Sequence, residues 1–340
     1  MLSNNALPYY IIPNFIPQLA CPHQCIFCNQ QKITGSISIP KPEDVIKKVT
    51  AYLQGIPAEN SRVEIAFYGG SFTGLPFSLM EDYLKAAFRF VEDGRVQHLR
   101  VSTRPDYINK EILALLKKYK VKVVELGAQS FDDEVLRLSG RGHTVEDIEK
   151  ASQAILDEGI ELGLQMMVGL PGDTPEKSVA TAREIVALGA ANTRIYPVLV
   201  IRKTPLAKMY YEGKYQPLSL PEAVQRVKLL IPVFEEKNVR ILRIGLHPSE
   251  GLLTRSQLIA GPFHVSFREL VLTKIWNDLL APLCIHSDKN EIQVSVSPTE
   301  LNFAIGYGAA NRKRLLQFYR KVRFTADPAL KNRNYYVDYN

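Results

Sequence analysis

Between Tyr9 and about Leu246 the chain alternates short β-branched or apolar runs with longer segments of helical spacing, and this alternation limits the fold more than any other feature. The runs expected as strands are Tyr10–Phe15, Val63–Tyr68, His98–Thr103, Val121–Ala128, Glu161–Val168 and Asn192–Val200. Helical spacing fills Pro42–Leu53, Ser78–Glu92, Ile108–Lys118, Thr144–Glu158 and Pro175–Leu188. Leu220–Glu236 follows the last strand, with Pro221 in its first turn as a start signal. Six parallel strands joined by helices suit either a doubly wound sheet or an open barrel. Distinctive residues follow strand after strand: the cysteines, then Gly69-Gly70-Ser71, Arg104-Pro105-Asp106, Gln129-Ser130 and Gly169-Leu170-Pro171. A barrel brings all these ends to one mouth, whereas an open sheet has a single switch point. The expected fold is α/β, a partial (β/α)6 TIM-like barrel.

After Leu246 the alternation stops, and His247-Pro248 and Gly261-Pro262-Phe263-His264 punctuate the chain. A helix is expected around Phe267–Leu279 and a strand at Glu291–Val296, then Ala304–Leu316 leads into a basic tail. The expected division is a barrel domain over residues 1–246 and a small C-terminal α+β accessory unit over 247–340. With 46% apolar and 23% charged residues, a chain of 340 can bury a full core. Its net charge of +7 is uneven. Residues 311–340 carry eight cations against Asp327 and Asp338, a net of +6 that leaves +1 for the rest. A basic tail on a near-neutral body suits contact with a polyanion such as nucleic acid. No apolar run reaches the roughly 20 residues of a membrane span. Met1–Tyr10 also lacks the basic start and apolar stretch of a signal peptide, so the expected location is the cytoplasm, without membrane contact.

Cys21-Pro22-His23-Gln24-Cys25-Ile26-Phe27-Cys28 gathers three of the four cysteines, and Cys284 is far away. That is not a disulfide framework; in a reducing cytosol it reads as thiolates collected for a metal or redox centre. Three thiolates on one loop after a strand can hold three irons of a cubane. Because a 4Fe-4S cluster ordinarily takes four, one iron is left open to a non-protein ligand. A zinc site closed by Cys21, Cys25, Cys28 and His23 is the inert alternative.

The cysteine loop followed by Gly69-Gly70-Ser71-Phe72-Thr73 resembles the radical S-adenosylmethionine (SAM) superfamily, whose second motif is usually Gly-Gly-Glu or Gly-Gly-Thr. Three further segments, Glu125-Leu126-Gly127-Ala128-Gln129-Ser130-Phe131, Gly140-Arg141-Gly142-His143-Thr144 and Met167-Val168-Gly169-Leu170-Pro171-Gly172, resemble one branch of it. That branch contains the radical SAM domain of the Elongator catalytic subunit and, more distantly, oxygen-independent coproporphyrinogen oxidase. The core motifs cover about residues 9–246, and Arg243–Phe263 also looks like the accessory region of bacterial Elongator-like proteins. The resemblance implies a 4Fe-4S cluster on Cys21, Cys25 and Cys28, with SAM on the open iron. It also implies reductive cleavage of SAM to a 5′-deoxyadenosyl radical that takes hydrogen from substrate, and an electron donor such as flavodoxin or ferredoxin. Carried over residue by residue, Gly69 and Gly70 let backbone approach the methionine end, Gln129 contacts the ribose and Arg141 pairs with the carboxylate. Ser71 and Ser102 stand where relatives carry glutamate, so two acidic SAM contacts are missing. Gln165 replaces an aspartate of the porphyrinogen branch, and Val198 lies where a strand edge packs adenine.

His143 and His264 stand beside glycines in loops near the expected mouth, where a histidine either moves a proton or is a hydrogen-bonded structural group. Tyr68 and Tyr196 either serve radical chemistry or pack at strand ends, and Cys284 reads as an idle thiol. The Elongator subunit modifies wobble uridine in tRNA by joining its radical domain to an acetyl-CoA-binding acetyltransferase domain. About 94 residues follow Leu246 and show no glycine-rich acetyl-CoA loop, so that two-domain reaction is not expected of this chain alone. RNA, with tRNA first, is still the expected substrate, because the tail cations interleave with Phe318, Tyr319, Phe324, Tyr335, Tyr336 and Tyr339. The same residues also suit a basic amphipathic helix packed on the barrel. Two readings stand beside it: radical oxidation or rearrangement of a small molecule or peptide, and a SAM- and cluster-binding carrier without turnover.

Overall fold

Seven strands form one sheet in which every neighbouring pair is parallel and spatial order follows chain order. The computed structural model describes residues 8–16, 25–29, 39–57, 59–285 and 289–339. The strands are β1 (Tyr9–Ile16), β2 (Arg62–Gly69), β3 (His98–Thr103), β4 (Val121–Gln129), β5 (Glu161–Val168) and β6 (Asn192–Pro197). A two-residue β7 (Val200–Ile201) pairs elsewhere, and β8 (Arg240–Ile244) completes the sheet beyond β6. A doubly wound sheet reverses its strand order at a switch point, and this one never does. The edges also approach each other: the guanidinium of Arg240 on β8 lies 5.8 Å from the ring of Tyr9 on β1. Six spacings of about 4.8 Å would hold those strands roughly 29 Å apart in a flat sheet. The sheet is therefore curled into a partial barrel, with one strand more than the six expected.

Helices α1 (Pro42–Gln54), α2 (Phe77–Glu92), α3 (Lys110–Lys118), α4 (Asp133–Leu138), α5 (Val145–Asp157), α6 (Pro175–Ala187), α7 (Pro205–Tyr211) and α8 (Leu220–Glu236) occupy the connections. Hydroxyls of Thr144, Thr174, Thr204 and Ser219 cap α5, α6, α7 and α8 by accepting from first-turn N–H groups that have no partner inside the helix. Successive strand residues point to opposite faces, and the two faces differ in kind. Val63, Ile65 and Phe67 of β2, Leu99 and Val101 of β3, and Leu162, Leu164 and Met166 of β5 join the apolar core that holds the helices. The alternate residues face a polar interior. There Arg100 donates from Nε to Glu64 (2.6 Å) and from Nη1 to Glu125 (2.7 Å). Arg194 clamps Glu125 through Nε (2.8 Å) and Nη2 (3.0 Å), and Nη2 also reaches the Tyr68 hydroxyl at 2.7 Å. Two carboxylates and two guanidiniums thus alternate across β2, β3, β4 and β6.

Beyond β8 come α9 (Glu250–Leu253) and β9 (Leu258–Ala260), which pairs antiparallel with β7. Next is α10 (Phe267–Leu279), which contributes Phe267 and Val271 to the first core and Trp276 to a second. The second core lies under a three-stranded sheet with β10 (Glu291–Val296) in the centre, β11 (Lys321–Ala326) parallel to it and β12 (Tyr335–Tyr339) antiparallel. This is the small C-terminal α+β unit.

The segment Ala304–Leu316 is broken at Gly306 (φ 89°), where an added Cβ would lie 3.0 Å from the Asn311 nitrogen, and two short helices flank the break, α11 (Leu301–Ile305) and α12 (Ala310–Leu315). The basic tail is built into the fold, with α12, β11 and β12 lying along it. Tyr319 and Val322 are buried, Lys321 pairs with Glu291, and Arg333 pairs with Glu235. Among the described residues no helix is long and apolar enough to cross a membrane.

Removing one partner of a buried ion network strands the others, at a typical cost of about 3–5 kcal/mol. Arg100 is fully buried between two carboxylates. Arg100→Met is therefore expected to lower the unfolding free energy by about that amount, read as a lower urea midpoint with an unchanged m-value.

Candidate functional site

Among the described residues of the cysteine loop, Cys25 is buried and Cys28 half-buried; Cys21 and His23 lie outside the described residues. The Cys28 N–H bonds the Cys25 carbonyl at 3.0 Å, so the two thiols share one tight turn. Two backbone bonds pin that turn: Ile26 N–H to Ser139 O at the end of α4 (3.1 Å), and Leu206 N–H of α7 to Ile26 O (2.8 Å). Ile26 and Phe27 then pack into an apolar cluster with Val135, Leu170 and Val198.

The ends of β1 and β2 meet at Gly69. Gly69 has φ 116°, and an added Cβ would lie 2.6 Å from the Ile16 carbonyl oxygen. The Gly70 N–H bonds that same oxygen at 2.9 Å. Ser71 is buried, and Thr73 on the following turn shares a 2.6 Å hydroxyl bond with Thr103 at the end of β3.

Arg141 carries the cysteine turn into the barrel mouth. Its Nη1 donates to the Cys25 sulfur at 3.2 Å and its Nη2 to the Gly127 carbonyl at 2.5 Å. Its own carbonyl accepts from Arg104 Nη2 at 2.6 Å, and Arg104 is held bidentate by Asp106 at 2.9 Å. Gln129, at the end of β4, takes φ 70°, a left-handed backbone that costs a non-glycine residue energy and that persists where the surroundings enforce it. At Gly127 a Cβ would lie 2.8 Å from Gln129 Nε2 and 3.4 Å from Arg141 Nη2, so glycine lets the Gln129 amide lie where it does without shifting. Gln129 Oε1, Arg141 Nε and His143 Nδ1 are buried here without a hydrogen-bond partner among the described residues. A buried polar atom left unpaired is costly, and such atoms side by side mark a place for a polar ligand. An acceptor amide and a guanidinium beside a thiol suit a molecule that carries hydroxyls and a carboxylate.

Ser102 and Gln165 meet within the interior network instead, Gln165 Nε2 donating to Glu125 Oε2 at 2.8 Å and to Ser102 Oγ at 3.4 Å. Burial would raise the Glu125 carboxyl, yet Arg194 and Arg100 hold it below the usual carboxylate range. Arg100, Glu125 and Arg194 were not singled out from the sequence as site residues. Their signal is a charge at alternate positions of otherwise apolar strands. Tyr68, its ring 5.0 Å from the Arg194 guanidinium, has its phenol pushed up by burial, and the same holds for Tyr196, so both are neutral hydroxyls. His264 packs edge-on to Tyr307 and accepts the Ser266 N–H at 3.0 Å, a structural role. Cys284 is a free thiol against the second core.

The radical SAM superfamily model matches residues 15–185, and the Radical_SAM C-terminal domain model matches 191–277. The chain belongs to the radical SAM superfamily. Its cofactors are accordingly a 4Fe-4S cluster and SAM, which the unpaired atoms beside Cys25 fit. Within the superfamily it resembles the Elongator-like branch. It is 26% identical over 262 residues to a tRNA uridine(34) acetyltransferase of Dehalococcoides mccartyi, covering 66% of this chain and 56% of that protein. It is 30% identical over 219 residues to an uncharacterized protein of Methanocaldococcus jannaschii, covering 59% and 64%. The chain spans about half the length of the curated relatives it matches. The archaeal Methanocaldococcus infernus Elp3 structure superposes with a TM-score of 0.65 at 23% identity, over 81% of this chain and 64% of that one, a likeness of fold.

His143 bonds the Ala128 carbonyl through Nε2 at 3.3 Å, and burial, then the Arg141 and Arg104 charges, push its pKa down to about 3. The unfolded histidine titrates near 6.5, so between those values the unfolded chain binds the extra proton and stability falls with falling pH. Comparing urea unfolding at pH 7 and pH 5, wild type should lose about 2 kcal/mol more than His143→Gln.

Proposed function

We propose that Cys21, Cys25 and Cys28 hold the 4Fe-4S cluster and that the chain reductively cleaves SAM to act on RNA, with tRNA as the first candidate. The observation that carries the site assignment is Arg141, bonded to the Cys25 sulfur while its buried Nε has no partner among the described residues. In this reading Arg141 takes the SAM carboxylate and Gln129 Oε1 accepts from a ribose hydroxyl. Gly69, Gly70 and Ser71 border the methionine end, and Val198 packs the adenine against the cluster that includes Ile26 and Phe27. Ser102 and Gln165, tied to Glu125, supply neutral hydrogen bonds where acidic contacts stand in relatives. A cluster held by these cysteines would supply the one electron that breaks the S–C5′ bond of SAM, which would leave methionine and a 5′-deoxyadenosyl radical able to take hydrogen from substrate.

The protein's own part is to place and to shield. The bond from Arg141 to the Cys25 sulfur orients that ligand and stabilises negative charge on it. The apolar turn of Ile26 and Phe27 keeps water from its inner side. The RNA reading is supported by the names of the relatives and by the surface of the C-terminal unit, where Arg312, Lys313, Arg320, Arg323 and Lys331 are exposed. It carries with it a cytoplasmic location, an external donor such as flavodoxin or ferredoxin, and a division of the chain at about residue 246.

Anaerobic reconstitution with iron and sulfide, reduction, and addition of SAM should give 5′-deoxyadenosine from wild type and none from Cys25→Ala. Arg141→Met should keep the cluster absorption but weaken SAM binding by roughly 10- to 150-fold, the usual worth of a hydrogen bond to a charged group. A wild-type protein that holds only zinc and leaves SAM intact would refute the assignment.

A further inference from the structure

A second concave surface lies on the outer side of the cluster that carries the cysteine turn. A groove of about 620 Å³ runs between α7 and the β7–β9 ribbon, floored by Ala207 and Ile259 and rimmed by Arg202, Lys203, Lys208 and Tyr211. Ala207 and Ile259 belong to the same apolar cluster as Ile26 and Phe27, so the groove and the cysteine turn share one support. The Leu206–Ile26 backbone bond ties the helix beside it to that turn as well.

The chemistry of the rim is specific. Glu212 is its one carboxylate, and it is engaged by Lys214 at 2.8 Å and Lys208 at 3.8 Å. Arg202 and Lys203 are exposed and have no carboxylate partner among the described residues. Lys203 is held at φ 60°, a strained conformation that fixes where this cation leaves the backbone. Arg202 is set by its own N–H bond to the Gln257 carbonyl (2.9 Å), which extends the ribbon. Tyr211 leaves 68% of its surface in water, far more than a ring serving only to pack. Unpaired cations spaced along a groove with an exposed aromatic ring and an apolar floor are the parts that bind single-stranded nucleic acid, cations on phosphates and ring on base.

We propose that this groove binds a single-stranded stretch of RNA, with phosphates on Arg202 and Lys203 and one base stacked on Tyr211. The proposal rests on the RNA reading above and adds where the strand lies: on the face of the barrel that supports the cysteine turn, apart from the exposed cations of the C-terminal sheet. An acidic peptide would use the cations but has no need of the tyrosine.

The test is fluorescence anisotropy of a labelled anticodon stem-loop RNA with the full-length protein, titrated at several salt concentrations. Arg202→Ala/Lys203→Ala should weaken binding about tenfold and flatten the log–log salt slope by about 1.4, two contacts at roughly 0.7 each for a single strand. Tyr211→Ala should weaken it by roughly 5- to 150-fold, with Tyr211→Phe near wild type. These side chains are exposed, and an unchanged melting temperature establishes that the variants are folded. If wild type binds the RNA and the groove variants bind equally well, the groove assignment is overturned while the RNA reading stands. If wild type binds no RNA, both fall. If polyglutamate competes fully and Tyr211→Ala has no effect, the surface belongs to an acidic peptide.

Discussion

The fold depends on placing charge inside a barrel. Arg100 is completely buried between Glu64 and Glu125, and Arg194 closes the other side of Glu125. Two carboxylates and two guanidiniums balance, which is the condition under which ions tolerate removal from water. The contacts join β2, β3, β4 and β6, so a one-residue slip of any of these strands would bring an aliphatic side chain inward and send a charge into the helix layer. Register, curvature and the alignment of the strand ends are thereby set together. The aligned ends in turn give the mouth its shape.

At that mouth the cysteine turn leans on segments far along the chain. Ser139 and Leu206 bond its backbone, and Arg141 bonds its sulfur. Arg141 is itself fixed by Gly127, Arg104 and, behind them, Asp106. The site thus rests on the segment that follows β4 as much as on the cysteine loop. The left-handed Gln129 lies at the junction of the two.

Much of this was legible in the chain. β-Branched and apolar runs located β1 to β5 to within one residue at either end, whereas the run expected over Asn192–Val200 takes in both β6, which stops at Pro197, and the separate β7. Helical spacing located α1, α2, α3, α5, α6 and α8 but not the short α4 and α7. The strand β8, Arg-Ile-Leu-Arg-Ile, was not recognised, because its arginines break the apolar run by which a buried strand announces itself. Arg100 and Glu125 were hidden for a related reason. Each looks like a surface residue until its partner is known, and Arg194 stands 69 positions from Glu125. In the C-terminal region the cations masked a strand, since β11 becomes recognisable only once β10 pairs beside it. Gln129 and Arg141 were accessible through motif resemblance. Their geometry was not, because it depends on the room that Gly127 leaves for the Gln129 amide and on the Gly127 carbonyl, which accepts from Arg141.

Helix α10 belongs to both hydrophobic cores, Phe267 and Val271 to the barrel and Trp276 to the C-terminal sheet. Arg333 adds a second tie, reaching from the C-terminal segment to Glu235 on α8. A helix embedded on both sides cannot act as a hinge. Melting of the small sheet would expose Trp276 and withdraw support from Phe267, against which Gly245 is packed at the end of β8. The two units are therefore mechanically one body, and force or heat applied to the C-terminal sheet is transmitted to the last strand of the barrel.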